Sequence, residues 1–304
     1  MDPWWRHPLV FWVLGLPPTA WLLGFFLIPL GIVWLFSFAE LRGVIGMEVT
    51  GTLANYARAL DPLYLEIFGK SFLFAGMTTV VSLVAGFPVA MAIVFASPRW
   101  RPVLLLLVIL PFWTNLLIRT YALIAVLRIR GFVNFSLEWL WERGDWGLAL
   151  IGLPGVLGDR FEPLELLYNN TAVVIGLVYV HLPFMVLPLY AALERLDRSL
   201  IEAALDLGAS QWTAFRTVIV PLAFPGIVSG AILVFIPALG SFLTPDLLGG
   251  TDSQMIANVI ERQFKGANDW PFGAALSFLL MYLTFGALAL RAVLSRGRSA
   301  MDAG

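Results

Sequence analysis

Few residues in this chain have the type and spacing to do chemistry. Histidine occurs twice, as His7 and His181, and cysteine is absent. A metal cage needs three or four clustered ligands, and two distant imidazoles do not supply one. Without cysteine there is no disulfide, iron–sulfur cluster, thiolate zinc site or cysteine nucleophile. Gly69-Lys70-Ser71 has the tail of a phosphate-cradling loop, G-x-x-x-x-G-K-[ST], but Tyr64 stands where its first glycine belongs. No G-x-S-x-G, H-E-x-x-H or G-x-G-x-x-G occurs, so hydrolase, zinc-protease and dinucleotide chemistry find no support. The residues point away from catalysis.

Two polar residues interrupt otherwise apolar stretches. Arg119 is a pathway or gating residue, or else one half of a structural ion pair or a side chain reaching for the outer interface. A central arginine costs about 2.5–3.5 kcal/mol on insertion scales, so it should face protein or water rather than lipid. His181, beside Pro183, reads as a packed polar residue rather than a ligand.

The richest pattern is ERLDRSLIEAALDLGASQWTAFRTVIVPLAFPG, from Glu194 to Gly226. Ser199 followed by Glu202 fits a capping box, in which the hydroxyl caps the first turn and the carboxylate reaches back. Leu200, Ile201, Ala204, Leu205 and Leu207 form an apolar stripe, and Gly208 suits the left-handed position just past a helix end. Ser210 caps a second short helix ending near Thr217, and Pro221 and Pro225 then reorient the chain. The expected object is a rigid two-helix elbow over about 194–222. Ala203, Ala204, Gly208 and Ala209 make a small-residue patch that another surface can approach.

The elements that position these residues follow from composition. Hydrophobic residues make up 60% of the 304 and charged residues 13%, against 45–50% and about 25% in soluble domains. No soluble core of this size hides so much apolar surface, so the chain is an integral membrane protein. Its net charge of −1 excludes a strongly basic nucleic-acid binder. A spanning helix needs about 20 mostly apolar residues, and six stretches qualify: 19–38, 72–96, 103–127, 171–193, 226–248 and 272–294. Their internal prolines are compatible with kinked spans, and they lack the alternation of transmembrane strands. The expected fold is all-α, one transmembrane domain over 1–304. The N-terminal apolar run lacks an A-x-A site and reads as an uncleaved anchor.

Arginine density places both termini in the cytoplasm. The inner segments then hold nine arginines: Arg6, Arg99, Arg101, Arg195, Arg198, Arg216, Arg291, Arg296 and Arg298. Outer segments hold fourteen of the twenty carboxylates; they are a solvated loop surface, or a negative face that concentrates cations. Gly226 and Gly230 form G-x-x-x-G, read as packing within the chain.

Glu202-Ala203-Ala204, three residues, Gly208, nine residues, then Val218-Ile219-Val220-Pro221 resembles the EAA loop of ABC-importer permeases, E-A-A-x3-G-x9-I-x-L-P. Valine replaces the family's isoleucine and leucine. Further stretches are similar to spermidine/putrescine permease subunits: ILPFWTNLLIRTYA (109–122), GLVYVHLPFMVLPLYAALERLD (176–197), NDWPFGAA (268–275), DPLY (61–64) and PDLLGG (245–250). The loop 128–170 matches less well. The resemblance implies a type I importer permease fold (MetI-like) in a bacterial inner membrane, with cytoplasmic coupling helices. It implies partners: ATP-binding cassette subunits that hold ATP and Mg, a second permease, a periplasmic binding protein, and a polyamine substrate. This chain would need no cofactor and have no ATPase site. Glu202, Ala203, Ala204, Asp206, Gly208, Ala209 and Pro221 would form the coupling surface. Trp113, Asn115, Arg119, Tyr179, Phe242 and Asp246 are candidates for the pathway, the aromatics as cation–π faces and Asp246 as a countercharge. In-span aromatics equally serve packing. The open alternatives are another solute, such as an amino acid derivative, ferric ion or phosphonate, or a secondary transporter driven by an ion gradient.

Overall fold

A computed structural model describes residues 8–43, 46–150 and 161–301, with the side chains of 8–11, 145–150 and most beyond 286 left aside. Arg6, His7 and residues 157–160 lie outside the described residues, and Arg291, Arg296 and Arg298 lie outside the described side chains. The chain divides into two compact units, Met1–Leu65 with Val259–Gly304, and Glu66–Asn258.

In the first unit, α1 (Pro8–Leu22) passes through a π turn (Leu23–Leu27) into α2 (Ile28–Phe36). The first span therefore begins well before Thr19, with Pro17 and Pro18 inside α1. A small antiparallel hairpin, β1 (Ala39–Arg42) and β2 (Gly46–Val49), pairs Ala39 with Val49 within a fold that is otherwise helical among the described residues, as the all-α expectation has it. α3 (Ala54–Ala59) is tied to the preceding chain by Asn55, whose amide donates to Ser37 O at 3.1 Å and Ala39 O at 2.8 Å. The last long helix of this unit, Trp270–Met301, starts where Asp269 Oδ1 accepts the Phe272 N–H at 3.2 Å. Its Tyr282 hydroxyl accepts from Trp34 Nε1 at 2.8 Å.

The second unit is built on three long helices. The first of them, α4 (Pro62–Phe95), contains Gly69-Lys70-Ser71 in mid-helix, where Lys70 pairs with Glu66 at 2.9 Å. A helix has no loop of free N–H groups to cradle phosphate. α5 (Arg101–Ile109), a 3₁₀ turn (Leu110–Trp113) and α6 (Leu116–Leu127) then replace the single third span expected at 103–127. The chain bends there by 98°. Pro111 removes a helical donor, Thr114 is extended at ψ 146, and Asn115 starts a new helix by accepting the Leu117 N–H at 2.8 Å. Hydropathy sees one run because most residues around these stop and start signals are apolar.

α7 (Phe132–Leu150) occupies part of what reads as an outer loop. Asn134 anchors it, donating to Leu164 O and accepting from Leu164 N, each at 2.9 Å. α8 (Asn170–Glu194) is capped by Asn169, whose Oδ1 accepts the Ala172 N–H at 2.9 Å. The core joins Phe87, Ala90 and Ile93 of α4 to Met185, Val186 and Leu189 of α8, with Ile219, Ala223 and Val234 from later in the chain. These last residues lead into or lie within α11 (Val220–Leu239), which follows α9 (Arg198–Asp206) and α10 (Gln211–Ala214). A Cβ at Gly226 would lie 2.6 Å from Ala192 Cβ, and one at Gly230 would lie 2.7 Å from Met185 Sδ. The G-x-x-x-G pair thus brings α11 against α8 within one chain.

The fifth span also shifts. It runs from Gln211 to Leu239 rather than 226–248, and Gly240 closes it. Residues 243–248 form a separate short helix, α12 (Leu243–Leu248), held by Asn258 Nδ2 donating to Phe242 O at 2.8 Å. α13 (Ile256–Lys265) and α14 (Trp270–Met301) complete the order. Among the described residues four helices are long and apolar enough to cross a membrane, and the bent pair is a fifth candidate. α14 is compatible with a sixth, apolar through Trp270–Gly286 and helical in backbone to Met301.

Candidate functional site

The elbow forms where the sequence places it, with different joints. Asp197, not Ser199, caps α9: its Oδ1 accepts the Ser199 N–H at 2.9 Å. That backbone hydrogen bond holds the Asp197 carboxyl below its ordinary pKa. Asp and Ser are nearly equal N-caps, and the chain direction leaving α8 favours the earlier one. The Ser199–Glu202 capping box therefore does not form, and Glu202 stands exposed on α9. Its carboxylate is left for another partner.

The end of α9 follows expectation. Gly208 has φ +85, its N–H bonds Leu205 O at 2.9 Å, and the Ala209 N–H bonds Ala204 O at 3.0 Å. This double closure needs the left-handed conformation that glycine adopts at least cost. Ser210 caps α10 by accepting the Thr213 N–H at 3.1 Å.

Beyond it, Pro221 and Pro225 do not reorient the chain. α10 continues through a π turn (Phe215–Ile219) into α11, with the Val220 N–H reaching back to Phe215 O. A π turn shifts the hydrogen-bond partners by one residue, so a proline just beyond it need not break the helix. The elbow is consequently rooted directly in the fifth span. Phe215 stacks on Trp212 at 5.3 Å and meets Phe87 of α4 edge-on at 5.5 Å.

The outer surface of the elbow is unusually apolar. Leu207 is 89% exposed and Trp212 69%, beside exposed Leu200, Ala203 and Leu205 and half-buried Ala204. Contiguous exposed apolar residues rimmed by charge mark an interaction surface; here Glu202 and Asp206 form that rim. The sequence places Leu207 only in the apolar stripe and does not single out Trp212, since burial of an apolar residue in a short amphipathic helix depends on what lies opposite.

The candidate pathway residues fall at several places within the second unit. Trp113, 77% exposed, and Asn115, the α6 cap, sit at the 98° bend. Arg119 follows on α6 and is buried, with Cζ 5.4 Å from the Phe112 ring centroid. Its Nε and Nη1 are buried without a hydrogen-bond partner, and no carboxylate among the described residues forms an ion pair with it. Phe112 packs edge-on against Phe184 at 4.8 Å, one turn beyond His181. The His181 Nδ1 meets Leu177 O at 2.8 Å within α8, the packed role expected of it. Tyr179 lines a different place, an apolar cavity of about 380 Å³ with Val89, Leu104 and Pro111. Phe242 and Asp246 belong to the α12 segment, which packs on α8 and α6; Leu248 and Thr244 of α12 meet Gly176. Among the described residues no cluster of three or more His, Asp or Glu could hold a metal ion.

A membrane-spanning helical chain carrying a rigid elbow before α11 has the architecture of a transporter permease. Residues 7–299 match the family described as binding-protein-dependent transport system inner membrane component, and the chain belongs to it. It is 43% identical over 262 residues to the spermidine/putrescine transport system permease protein PotB of Salmonella typhimurium, covering 86% of this chain and 85% of the relative. It is 42% identical to PotB of Escherichia coli, covering 86% and 89%. Among solved structures, the bacterial alginate ABC transporter in complex with an alginate pentasaccharide-bound periplasmic protein has a chain that superposes with a TM-score of 0.69. That match has 16% identity and covers 96% of this chain and 95% of that one, and it shows the shared fold. The protein is thus an ABC-transporter permease subunit, a multi-pass membrane protein and not itself an enzyme.

Proposed function

We propose that this chain is one pore-forming subunit of a polyamine importer of the spermidine/putrescine class in a bacterial inner membrane. The observation that carries the reading is the elbow: a capped, Schellman-closed α9 with an exposed apolar face, three residues beyond α8, followed by an α10 that is continuous with α11. Relatives above 40% identity that are named for spermidine and putrescine supply the substrate class.

Separate ATP-binding subunits, holding ATP and Mg, dock on Glu202, Ala203, Ala204, Asp206, Gly208 and Ala209 from the cytoplasm, where both termini also lie. Pro221 fixes the register in which α10 enters the span. Closure of those subunits moves the elbow, and because α10, the π turn and α11 form one helical rod, the displacement reaches the membrane helices. A second permease completes the passage, and a periplasmic binding protein delivers the substrate. Trp113, Tyr179 and Phe242 offer aromatic faces to ammonium groups, Asn115 a polar cap at the bend, and Asp246 a negative charge. Arg119 marks the passage as a buried cation without an ion-pair partner among the described residues. The whole chain acts as one transmembrane domain.

The test is uptake of labelled spermidine and putrescine by the assembled transporter in vesicles, with and without ATP. ATP-dependent uptake of either polyamine supports the reading, and uptake of an unrelated solute alone would refute the substrate class.

A further inference from the structure

Arg198 opens α9, and its guanidinium reaches across to another span. Its Nη2 donates to Val94 O at 3.1 Å, over a sequence separation of 104, and Cζ stands 5.3 Å from the Phe95 ring centroid. Val94 and Phe95 are the last two residues of α4. The last carbonyls of a helix lack intrahelical donors and carry the negative end of its dipole. Arg198 therefore grips α4 at the point where a cationic donor is favoured twice. Arg101 serves the next turn of chain, its Nε donating to Ala96 O at 3.2 Å. Beside these bonds lies a cavity of about 360 Å³ whose walls include Ser97, Pro98, Glu194 and Ile201. At this corner the Arg198 bond to α4 runs beside a gap, while Ile201 and Phe215 pack against the core that includes Ile93 and Val94.

We infer that Arg198 is a positioning residue that hands movement of the elbow to α4. The inference rests on the proposed coupling role of the elbow and extends it. The elbow is joined to α8 and α11 by the backbone itself, so those helices move with it. α4 has no such connection. A rigid-body shift of about 1–2 Å, typical of helices at moving interfaces, either breaks a bond of 3.1 Å or carries the end of α4 along. Charge-assisted hydrogen bonds are about twice as strong as neutral ones, which favours carrying. Removing the guanidinium would leave the elbow folded, because its caps are Asp197, Gly208 and Ser210, and would leave its docking face untouched.

The experiment uses the complete reconstituted transporter and reads polyamine moved per ATP hydrolysed, together with membrane abundance and copurified ATPase. Arg198→Ala is expected to lower that ratio about fivefold or more, with abundance and ATPase association close to wild type. Arg198→Lys, which keeps a cationic donor, should recover part of it. Arg195→Ala, which removes an exposed charge on the α8 side of the elbow, should leave the ratio unchanged. If Arg198→Ala does not accumulate, Arg198→Gln carries the test, since its amide still donates without the charge; an intermediate ratio supports the link. A wild-type ratio in Arg198→Ala overturns it, as does uptake that falls only in step with abundance or association. A wild-type assembly that hydrolyses ATP and moves no polyamine overturns the functional reading and the link with it.

Discussion

Gly226 of α11 lies so close to α8 that a Cβ there would sit 2.7 Å from Pro188 O and 2.6 Å from Ala192 Cβ. The first of these is backbone and cannot step aside. Gly226→Ala should therefore force the two helices apart, at about 1–3 kcal/mol for overpacking. Gly76→Ala on α4, where a Cβ meets nothing within 4 Å, is the matched control. Thermal midpoints in detergent decide it: equal midpoints for the two variants would show that the close approach is not structural.

Asp197 should matter to the elbow through its charge. Its folded pKa lies below the unfolded value of 3.8, so its stabilisation is present above that pH and is lost as pH falls through the folded pKa. Asp197→Ala should speed hydrogen exchange of the Ser199 amide relative to wild type at neutral pH. The difference should shrink only below about pH 3.8. Asp197→Asn, which still caps without the charge, should fall between wild type and Asp197→Ala at neutral pH and show no such pH dependence.

Arg58 and Asp269 meet at 2.7 Å, with the Arg58 guanidinium 3.8 Å from the Phe272 ring centroid. Both residues are partly exposed, so a double-mutant cycle should return about 0.2–1 kcal/mol for the ion pair. Asp269→Ala should cost more than Arg58→Ala because Asp269 also accepts the Phe272 N–H at the start of α14. Unfolding of the four proteins in one detergent measures both quantities, and a reversed order would remove the capping role.

The docking face predicts a split between two elbow variants. Because Asp197 caps α9, Glu202→Gln changes charge without touching the cap. Ala204→Gln adds bulk to a half-buried position beside exposed Leu207. Both should insert normally, and ATPase copurification should fall in both, further for Ala204→Gln. Wild-type association in Ala204→Gln would show that this face is not the interface.

Arg119 is costly where it stands, with Nε and Nη1 buried and unbonded. Arg119→Met should insert at least as well as wild type, the mid-span arginine costing about 2.5–3.5 kcal/mol on insertion scales. Its uptake should nonetheless change under the proposed role of the arginine in the passage. Reduced membrane abundance of Arg119→Met would point instead to a structural arginine.

The sequence by itself determined what depends on local composition and on neighbours a few residues away. Apolar runs of sufficient length establish a membrane protein because no core can absorb them. Gly208, three residues after Leu205 and before a capping Ser210, sets the end of α9, since left-handed backbone and N-caps are chosen by residue type. The EAA pattern is legible for the same reason, as is the family. What only tertiary structure decided depends on groups far apart in the chain. Asp197 and Ser199 compete equally as caps, and the route out of α8 picks Asp197. Pro221 reads as a break, yet a π turn absorbs it because α11 is held in line against α8 at Gly226 and Gly230. The run 103–127 reads as one span, but Pro111 and Asn115 split it, and the fold keeps the bend by packing Phe112 on Phe184. Arg198 and Val94 are 104 residues apart, and no spacing rule joins them. Their contact exists because packing of α4 against α8 brings a helix's unpaired carbonyl within reach of a cation on the elbow.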